Sequence, residues 1–403
     1  MLGKTGGLCL SLSFRRKIPH NQFHPFSPVP RKIIGRILFA LLALALLFEI
    51  GCWCFYRFPA EPLKVLSLEN DIPGFKKNVK VYFGDDQVRY LDWADGDKPE
   101  GSTRILFVGG IATLGMLQQA EDTWWGQLHV MLRQKGLKVQ SAARGFDRST
   151  AGDMAAFMAP IVDRLQPDVI ILNAGFDDVI IHPADYTYNK EASRKTPRVA
   201  EVSALRTFLL KVSQIARFKR YLSRQGEANQ MQNQLGRRDV YKRYFEDLKK
   251  EREKFSRTED LLRAAGLNDP LPEYIDGLTA WRDLAARAKA KLILTGEASL
   301  HNDPMSFTEE SNLVAYIALK KPDAEGRAPA ARPDPRWVKR EMQRFALKAE
   351  TFATENKIPW LDLNGRVTPN LDNFFTDVLL TDAGAIEAAK ALLPVVEPVI
   401  AGK

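Results

Sequence analysis

The sequence predicts a three-layer α/β sandwich, in which helices cover both faces of a parallel sheet of five strands. After residue 103, short apolar segments alternate with helical segments, and each apolar segment has the length of a buried strand. Strands that are apolar on both faces and are separated by helices are typical of parallel sheets with right-handed crossovers. The five segments are RILFVGG at 104–110, LKVQSA at 137–142, DVIILNAG at 168–175, AKLILTG at 290–296 and IPWLDL at 358–363.

The first 56 residues predict a membrane anchor ahead of this domain. Residues 37–56 form an apolar stretch with a single charge, Glu49, and they are long enough to cross a bilayer as a helix. Residues 1–36 contain seven Lys and Arg and no acidic residue, so this basic tail is expected in the cytoplasm. The main domain would then be periplasmic or extracellular. A cleaved signal peptide, including lipoprotein-type processing before Cys52, is the alternative.

Charge and cysteine content exclude two classes of function for the main domain. The net charge of +9 becomes +2 without the basic tail, so a nucleic-acid-binding surface is not expected. The cysteines are Cys9, Cys52 and Cys54, and therefore no disulfide framework or cysteine-based zinc site is expected in the main domain. We predict no metal and no cofactor.

The remaining segments predict a connector and two insertions. Residues 57–103 form the connector, in which VKVYF and QVRYLDW are expected to pair as a hairpin. The main domain then runs over 104–403, with an insertion at about 185–285 whose charged middle predicts exposed helices. A solvated helical face is favoured there, and a lid or a partner-binding arm is the alternative. The Pro- and Ala-rich stretch at 320–337 predicts a surface loop.

Segments at the strand ends resemble the sequence blocks of the SGNH/GDSL hydrolases. FVGGIATLG at 107–115 resembles the block that contains Gly-Asp-Ser, and LNAGFDDV at 172–179 resembles the Gly-x-Asn-Asp block. NFFTDVLLTDAGAIEAAKAL at 373–392 resembles the closing Asp-x-x-His block. SAARGFDRSTAG at 141–152 and GEASLHNDPMSFTEE at 296–310 are fainter matches. The resemblance implies a flavodoxin-like sandwich with its functional loops beyond the carboxyl ends of the strands.

The positions at which this family carries its catalytic triad hold other residues in this chain. The resemblance places Ile111 at the nucleophile, Leu379 at the base and Thr376 at the orienting acid, with Gly110 in place of the preceding Asp. An aliphatic side chain cannot attack a carbonyl, and a triad that lacks all of its members has no ordinary route to acyl transfer. The resemblance therefore implies a protein that has lost the catalytic activity of the family.

Two further positions belong to the part of the site that stabilises an oxyanion in the family. Gly145 is retained, whereas Asp177 stands where the family has an Asn. An ionised carboxylate accepts hydrogen bonds and would oppose a developing negative oxygen. Asp177 and its neighbour Asp178 are expected either to bind a ligand or to cap the helix that follows the third strand.

Each of these residues also has a purely structural explanation. Ile111 and Leu379 are the side chains expected in a pocket that has been filled, and Gly109 with Gly110 can form the turn after a strand. A relocated catalytic site is the alternative, with a hydroxyl from Thr113, Ser149, Thr150 or Ser299 and a base from His182 or, preferably, His301. We expect a pocket formed by Gly110, Gly145, Asp177, Asp178, Thr113 and His301.

The sequence thus predicts a membrane-anchored protein that resembles SGNH/GDSL hydrolases, lacks catalytic activity and acts on envelope glycans by binding them or assisting their modification. The glycan role is implied by analogy with bacterial relatives of this topology. One alternative is an active esterase or O-acyltransferase with a rearranged site, and another is a scaffold that binds an envelope protein through the helical insertion. The expected partners are the membrane and a glycan or acyl ligand, and not nucleic acid.

Overall fold

The computed structural model describes residues 31–55, 64–69, 72–83, 87–93, 98–115, 117–180, 213–235, 240–258, 269–318 and 330–402. The chain forms two compact units, Met1–Tyr56 and Arg57–Lys403. The first contains a helix, α1, over Arg31–Phe55. Its segment Ile34–Gly51 has a mean hydropathy of 2.1 and is not buried within the structure, so it is long and apolar enough for a membrane anchor or a signal sequence.

The second unit contains the predicted alternation of strands and helices. In chain order its elements are β1 (Lys64–Glu69), β2 (Asn78–Phe83), β3 (Arg89–Leu91), β4 (Thr103–Gly109), α2 (Ile111–Leu114), α3 (Trp124–Gln134), β5 (Val139–Gly145), α4 (Ala151–Leu165), β6 (Val169–Ala174), α5 (Phe176–Ile180), α6 (Gln214–Leu235), α7 (Val240–Glu253), β7 (Ser256–Thr258), α8 (Leu271–Ala288), β8 (Lys291–Gly296), α9 (Phe307–Glu310), β9 (Ile317–Ala318), β10 (Ala330–Pro333), α10 (Pro335–Glu355), β11 (Trp360–Asp362) and α11 (Asp382–Ile400).

The main sheet has six strands in the order β11-β8-β6-β4-β5-β3. The five predicted strands are parallel to one another, and β3 adds an antiparallel edge next to β5. Numbered along the chain, the parallel strands have the flavodoxin-like order 2-1-3-4-5, which reverses between β4 and β6. The predicted three-layer sandwich is therefore confirmed, with one additional strand.

Successive residues of a buried strand point to opposite faces, and the two faces of this sheet pack against different helices. Along β4, Leu106 and Val108 belong to the apolar layer that includes residues of α4, α8 and α10. Ile105 and Phe107 belong to the opposite layer, which includes residues of α3 and α11. A strand that is covered on both faces cannot alternate apolar with polar residues, which explains why its sequence is a continuous apolar run.

The predicted hairpin between VKVYF and QVRYLDW is wrong. β2, which contains VKVYF, pairs antiparallel with β1, and Val65 lies opposite Tyr82. β3 from QVRYLDW instead joins the main sheet, where Tyr90 lies opposite Ala142. The buried guanidinium of Arg89 donates hydrogen bonds to the carbonyl oxygens of Leu114, Gly115 and Gln118, so β3 is held by the loop that follows β4.

The insertion after the third strand ends earlier than the predicted 285. Helix α8 packs on α4, and the Nε1 of its buried Trp281 donates to the carbonyl oxygen of Ala151 at 2.9 Å. The sandwich therefore resumes at Leu271. Within the second predicted loop, 320–337, β10 pairs with β7 and β9 in a small three-stranded sheet, and α10 begins at Pro335.

Candidate functional site

A cavity of about 90 Å³ lies beyond the carboxyl ends of β4 and β6, where the strand order reverses. Open α/β sheets bind ligands at this place because the loops after the two strands diverge there. Ile111 follows β4 and Asp177 follows β6, and both line the cavity. The opposite wall includes Thr376 and Asp377 from the segment before α11. Arg148, Tyr244 and Tyr316 complete the polar part of the lining.

The structure brings together some of the predicted site residues and separates others. Ile111, Thr376 and Asp177 line one cavity, as the family register implies for neighbouring parts of a site. Gly110, Gly145, Thr113, Asp178, His301 and Leu379 are not among its described lining residues. Residue His182 lies outside the described part of the chain.

The retained glycine, Gly145, has a packing role at the end of β5. A Cβ on Gly145 would lie 2.0 Å from the backbone nitrogen of Leu114 and 2.1 Å from its Cα. Strand β5 and helix α2 thus approach so closely that only glycine fits at this position. The residue after it, Phe146, donates its backbone N–H to the carbonyl oxygen of Gly109 at 2.9 Å, which fixes the two strand ends to each other.

Because Gly110 has no side chain, the space beside its Cα is available to a buried carboxyl group. A Cβ at this position would lie 2.6 Å from Oε1 of Glu297 and 3.5 Å from Oδ2 of Asp177. Glu297 directly follows β8 and is 1% exposed, and its Oε2 accepts a hydrogen bond from the backbone N–H of Phe176 at 2.9 Å. Two carboxyl groups therefore meet where the family carries its Asp and its Asn.

Asp177 and Asp178 bond to the residues that begin α4, and backbone N–H groups of Gly175 and Asp178, at the start of the helix after β6, also lower the pKa of Asp178. Oδ2 of Asp177 accepts from the backbone N–H of Ser149 at 3.2 Å, and Oδ1 of Asp178 accepts from that of Ala151 at 2.9 Å. The hydroxyl of Thr150 caps the same helix by accepting from Asp153. These carboxyl groups thus also reach the start of α4, because the ends of β6 and α4 are adjacent in the sandwich.

Burial makes the carboxyl groups at this site hard to ionise. Burial and then repulsion from Asp147 raise the pKa of Asp177 to about 8. Burial likewise raises the pKa of Asp178 to about 7, and burial and the neighbouring Asp177 raise the pKa of Glu297 well above its usual range. Asp177 is therefore mostly a neutral acid at pH 7 and can donate a hydrogen bond to a ligand oxygen. The sequence alone indicates an ionised carboxylate at Asp177, whereas its raised pKa favours the neutral acid.

The structure also contains a Ser-His-Asp group next to the cavity. Oγ of Ser299 lies 2.8 Å from Nδ1 of His301, and Nε2 of His301 lies 3.5 Å from Oδ1 of Asp377. All three residues are at most 3% exposed, and Ser299 and His301 are not among the described residues that line the cavity. Burial lowers the pKa of His301 to about 4, so its ring is neutral at pH 7.

Hydrogen bonding in this group supports the cavity wall. Oδ2 of Asp377 accepts from the backbone N–H groups of Val314 and Ala315, at 2.7 and 3.1 Å. These two residues and Tyr316 form one side of the cavity. The hydroxyl of Ser299 also accepts a hydrogen bond from the backbone N–H of His301 at 3.1 Å, and this bond closes a local turn. The observed contacts thus give this group a structural function.

The residue that the sequence resemblance places at the catalytic base, Leu379, has a buried apolar side chain. Leu379 is 1% exposed and belongs to an apolar cluster with Ile72, Leu117 and Phe245. Phe245 comes from α7 of the insertion, and its ring packs edge-on against Phe375 with the centroids 5.0 Å apart. Helix α7 therefore covers the carboxyl end of the sheet, and a His side chain at residue 379 would lie in an apolar environment.

Sequence reasoning did not identify four residues at this site, namely Glu297, Arg148, Tyr244 and Tyr316. Glu297 directly follows an apolar strand, and an acid at that point could have been recognised as a strand-end residue. Tyr244 lies in the insertion, and Tyr316 lies beyond the end of the block at 296–310. No local signal connects these two residues to the cavity.

Within the described residues, no group of three or more His, Cys, Asp or Glu side chains is arranged to hold a metal ion. The cavity combines an apolar part, which includes Ile111, with two acids, Asp177 and Asp377, and with Arg148, a threonine and two tyrosines. Such a lining suits a small group that carries a hydrogen-bond acceptor.

No protein-family model matches the sequence, and no curated protein matches it significantly. Solved structures similar to the chain include a GDSL-like lipase from Bacteroides thetaiotaomicron, with 15% identity, a TM-score of 0.35, and coverage of 77% of this chain and 92% of the lipase. A carbohydrate acetylesterase family member from Sinorhizobium meliloti has 11% identity, a TM-score of 0.39, and coverage of 75% and 100%.

The fold assignment rests on the strand order and on the places of the sequence blocks at the strand ends. On those grounds the chain has an SGNH/GDSL-hydrolase-like α/β sandwich, in agreement with the resemblance found in the sequence.

Proposed function

We propose that this protein is a membrane-anchored binding protein that holds an acetylated envelope glycan and does not hydrolyse it. The proposal is supported by the residues that line the cavity beyond β4 and β6, which we call the strand-end cavity. Ile111 and Thr376 line the cavity at the family's nucleophile and acid positions, and Leu379 at the base position is buried in an apolar cluster. The site thus keeps a place for a ligand but has lost the groups for acyl transfer.

The size and chemistry of the cavity support an acetyl group as the part that enters it. An engineered protein cavity of roughly 150 Å³ admits benzene. A cavity of about 90 Å³ suits a smaller group, and Ile111 and Val378 offer an apolar surface to a methyl group. The neutral carboxyl of Asp177 would donate to the acetyl oxygen. The sugar would then contact Tyr244, which is 43% exposed, and Arg148.

The first prediction tests the absence of hydrolysis. We expect no turnover of p-nitrophenyl acetate by the full chain, and none by the Ile111→Ser variant, because Leu379 supplies no base and Thr376 no carboxylate. A fluorescent serine-reactive phosphonate should label neither protein. Ester turnover by the Ile111→Ser variant would show that our assignment of the catalytic positions is wrong. Labelling that disappears in a Ser299→Ala variant would favour the rearranged esterase.

The second prediction tests the role of Asp177 with an acetylated xylo-oligosaccharide as the probe. We expect Asp177→Ala to weaken binding about tenfold, because the loss of one buried hydrogen-bond partner costs about 1–3 kcal/mol. Asp177→Asn keeps a neutral donor and should retain most of the affinity. Calorimetric titration measures both variants, and thermal melting confirms that they are folded. Equal affinities for wild type and Asp177→Ala would exclude Asp177 from the ligand site.

A further inference from the structure

A second and larger cavity lies on the other side of Phe245. Its volume is about 320 Å³, and Phe245 separates it from the strand-end cavity because this ring lines both. Most of its wall is apolar, and five of the side chains that form it are Ile72, Phe245, Leu371, Phe374 and Phe375. Ligand pockets in proteins begin at about 300 Å³ and are mostly apolar with a few polar groups. This cavity has the size and lining of a small ligand site.

Lys249 is the polar group that distinguishes this cavity. It is half-buried, its Nζ lies 5.4 Å from the ring centroid of Phe375, and it donates a hydrogen bond to Oδ1 of Asn312 at 2.5 Å. An ammonium group has three donors, and the partner shown for Nζ here is a neutral amide. Burial lowers the pKa of Lys249, although Glu246 and Asp377 oppose this effect. An anion in the cavity would stabilise the charged form of the lysine.

Two nearby lysines, Lys250 in the same helix and Lys254 directly after it, have carboxylate partners. Nζ of Lys250 lies 4.0 Å from Oδ1 of Asp247, and Nζ of Lys254 lies 2.5 Å from Oε2 of Glu251. Both of these pairs are on the exposed surface. Lys249 therefore differs from them in facing an apolar cavity with an uncharged partner, and Lys242 adds a second cationic group to the same wall.

We propose that this cavity binds a linear alkyl carboxylate, with the alkyl chain between Leu371 and the phenylalanine rings and the carboxylate on Lys249. An alkyl chain matches the apolar wall, and a carboxylate supplies an ion pair at contact distance, which Lys249 does not form with any described residue. Glu246 also lines the cavity, so the wall carries two cations and one anion and favours a singly charged ligand. The proposal does not depend on the function proposed for the strand-end cavity.

The experiment compares octanoate with octanol by calorimetric titration at about pH 6, with the full chain in nanodiscs of neutral lipid. We expect octanoate to bind wild type about tenfold more tightly than octanol, the equivalent of one charge-assisted hydrogen bond. Lys249→Met should remove this preference, whereas Lys249→Arg should keep it. Lys250→Met is the matched control, since Lys250 is 72% exposed on the same helix, and it should leave the preference unchanged.

A second variant locates the ligand without changing the charge. Leu371→Trp fills the cavity and should abolish octanoate binding, while thermal melting shows that the protein is folded. Equal binding of octanoate and octanol by wild type would overturn the proposal. A preference for octanoate that survives in Lys249→Met, or octanoate binding that survives in Leu371→Trp, would overturn it as well.

Discussion

Replacing Gly145 by alanine is expected to lower the free energy of unfolding by about 3 kcal/mol or more. The added Cβ would lie 2.0 Å from the backbone nitrogen of Leu114, and a backbone atom cannot turn away as the end of a side chain can. Overpacking a core typically costs about 1–3 kcal/mol of stability. We expect a cost at or above the top of this range here, because β5 or α2 must move to relieve the contact. Chemical denaturation of the variant measures the loss.

Gly152, in the first turn of α4, is the matched control for this substitution. The nearest atom to a Cβ on Gly152 would be Cα of Gly277 at 3.8 Å, which is an ordinary contact. Gly152→Ala should therefore be neutral or should raise stability by about 0.5–1 kcal/mol, the usual gain of alanine over glycine in a helix. If Gly145→Ala were as stable as Gly152→Ala, the packing role of Gly145 would be refuted.

The contribution of Asp177 to stability is expected to fall as the pH rises from about 4 to about 8, whereas His301, with a folded pKa of about 4, acts in the opposite direction up to about pH 6.5. In the folded chain the pKa of Asp177 is about 8, whereas an unfolded Asp has a pKa of about 3.9. Between these values the folded state binds the proton and the unfolded state has lost it. Since the folded state then holds more protons, a rise in pH destabilises it. Asp178, with a folded pKa of about 7, acts in the same direction.

Asp177→Asn isolates this effect because the amide resembles the protonated acid and does not titrate. Each pKa unit corresponds to about 1.4 kcal/mol, so the variant should be more stable than wild type by roughly 2 kcal/mol or more at pH 8. The two proteins should be nearly equal at about pH 4. Asp163→Asn, at an exposed position of α4, should leave the pH dependence of wild type intact. Identical pH profiles for wild type and Asp177→Asn would contradict a raised pKa at Asp177.

Much of the fold could be predicted because a strand that is buried on both faces has a continuous run of apolar residues. Runs such as Ile105 to Val108 are apolar on both faces, and this pattern predicts both the strand and its central place in a parallel sheet. Edge strands lack that signal. β3 has three residues and is held by the contacts of Arg89 with a distant loop, so its partner could not be derived from its own pattern.

The candidate site was less predictable because its chemistry depends on burial and on distant segments. The position of Asp177 at a strand end could be read from the sequence. Its protonation could not, since the raised pKa of Asp177 depends on burial and on repulsion from Asp147. The covering of the strand ends by α7 was equally hidden, because the contact of Phe245 with Leu379 joins residues more than a hundred positions apart.

Both outermost strands of the main sheet, β3 and β11, are only three residues long. A long and flat sheet edge presents unpaired backbone groups on which another chain can add a strand, and short edges are one way in which proteins limit such aggregation. The four longer parallel strands, β8, β6, β4 and β5, are thus shielded at both margins from edge-to-edge growth. A second copy that added a strand to either edge of this sheet could pair with a strand of only three residues.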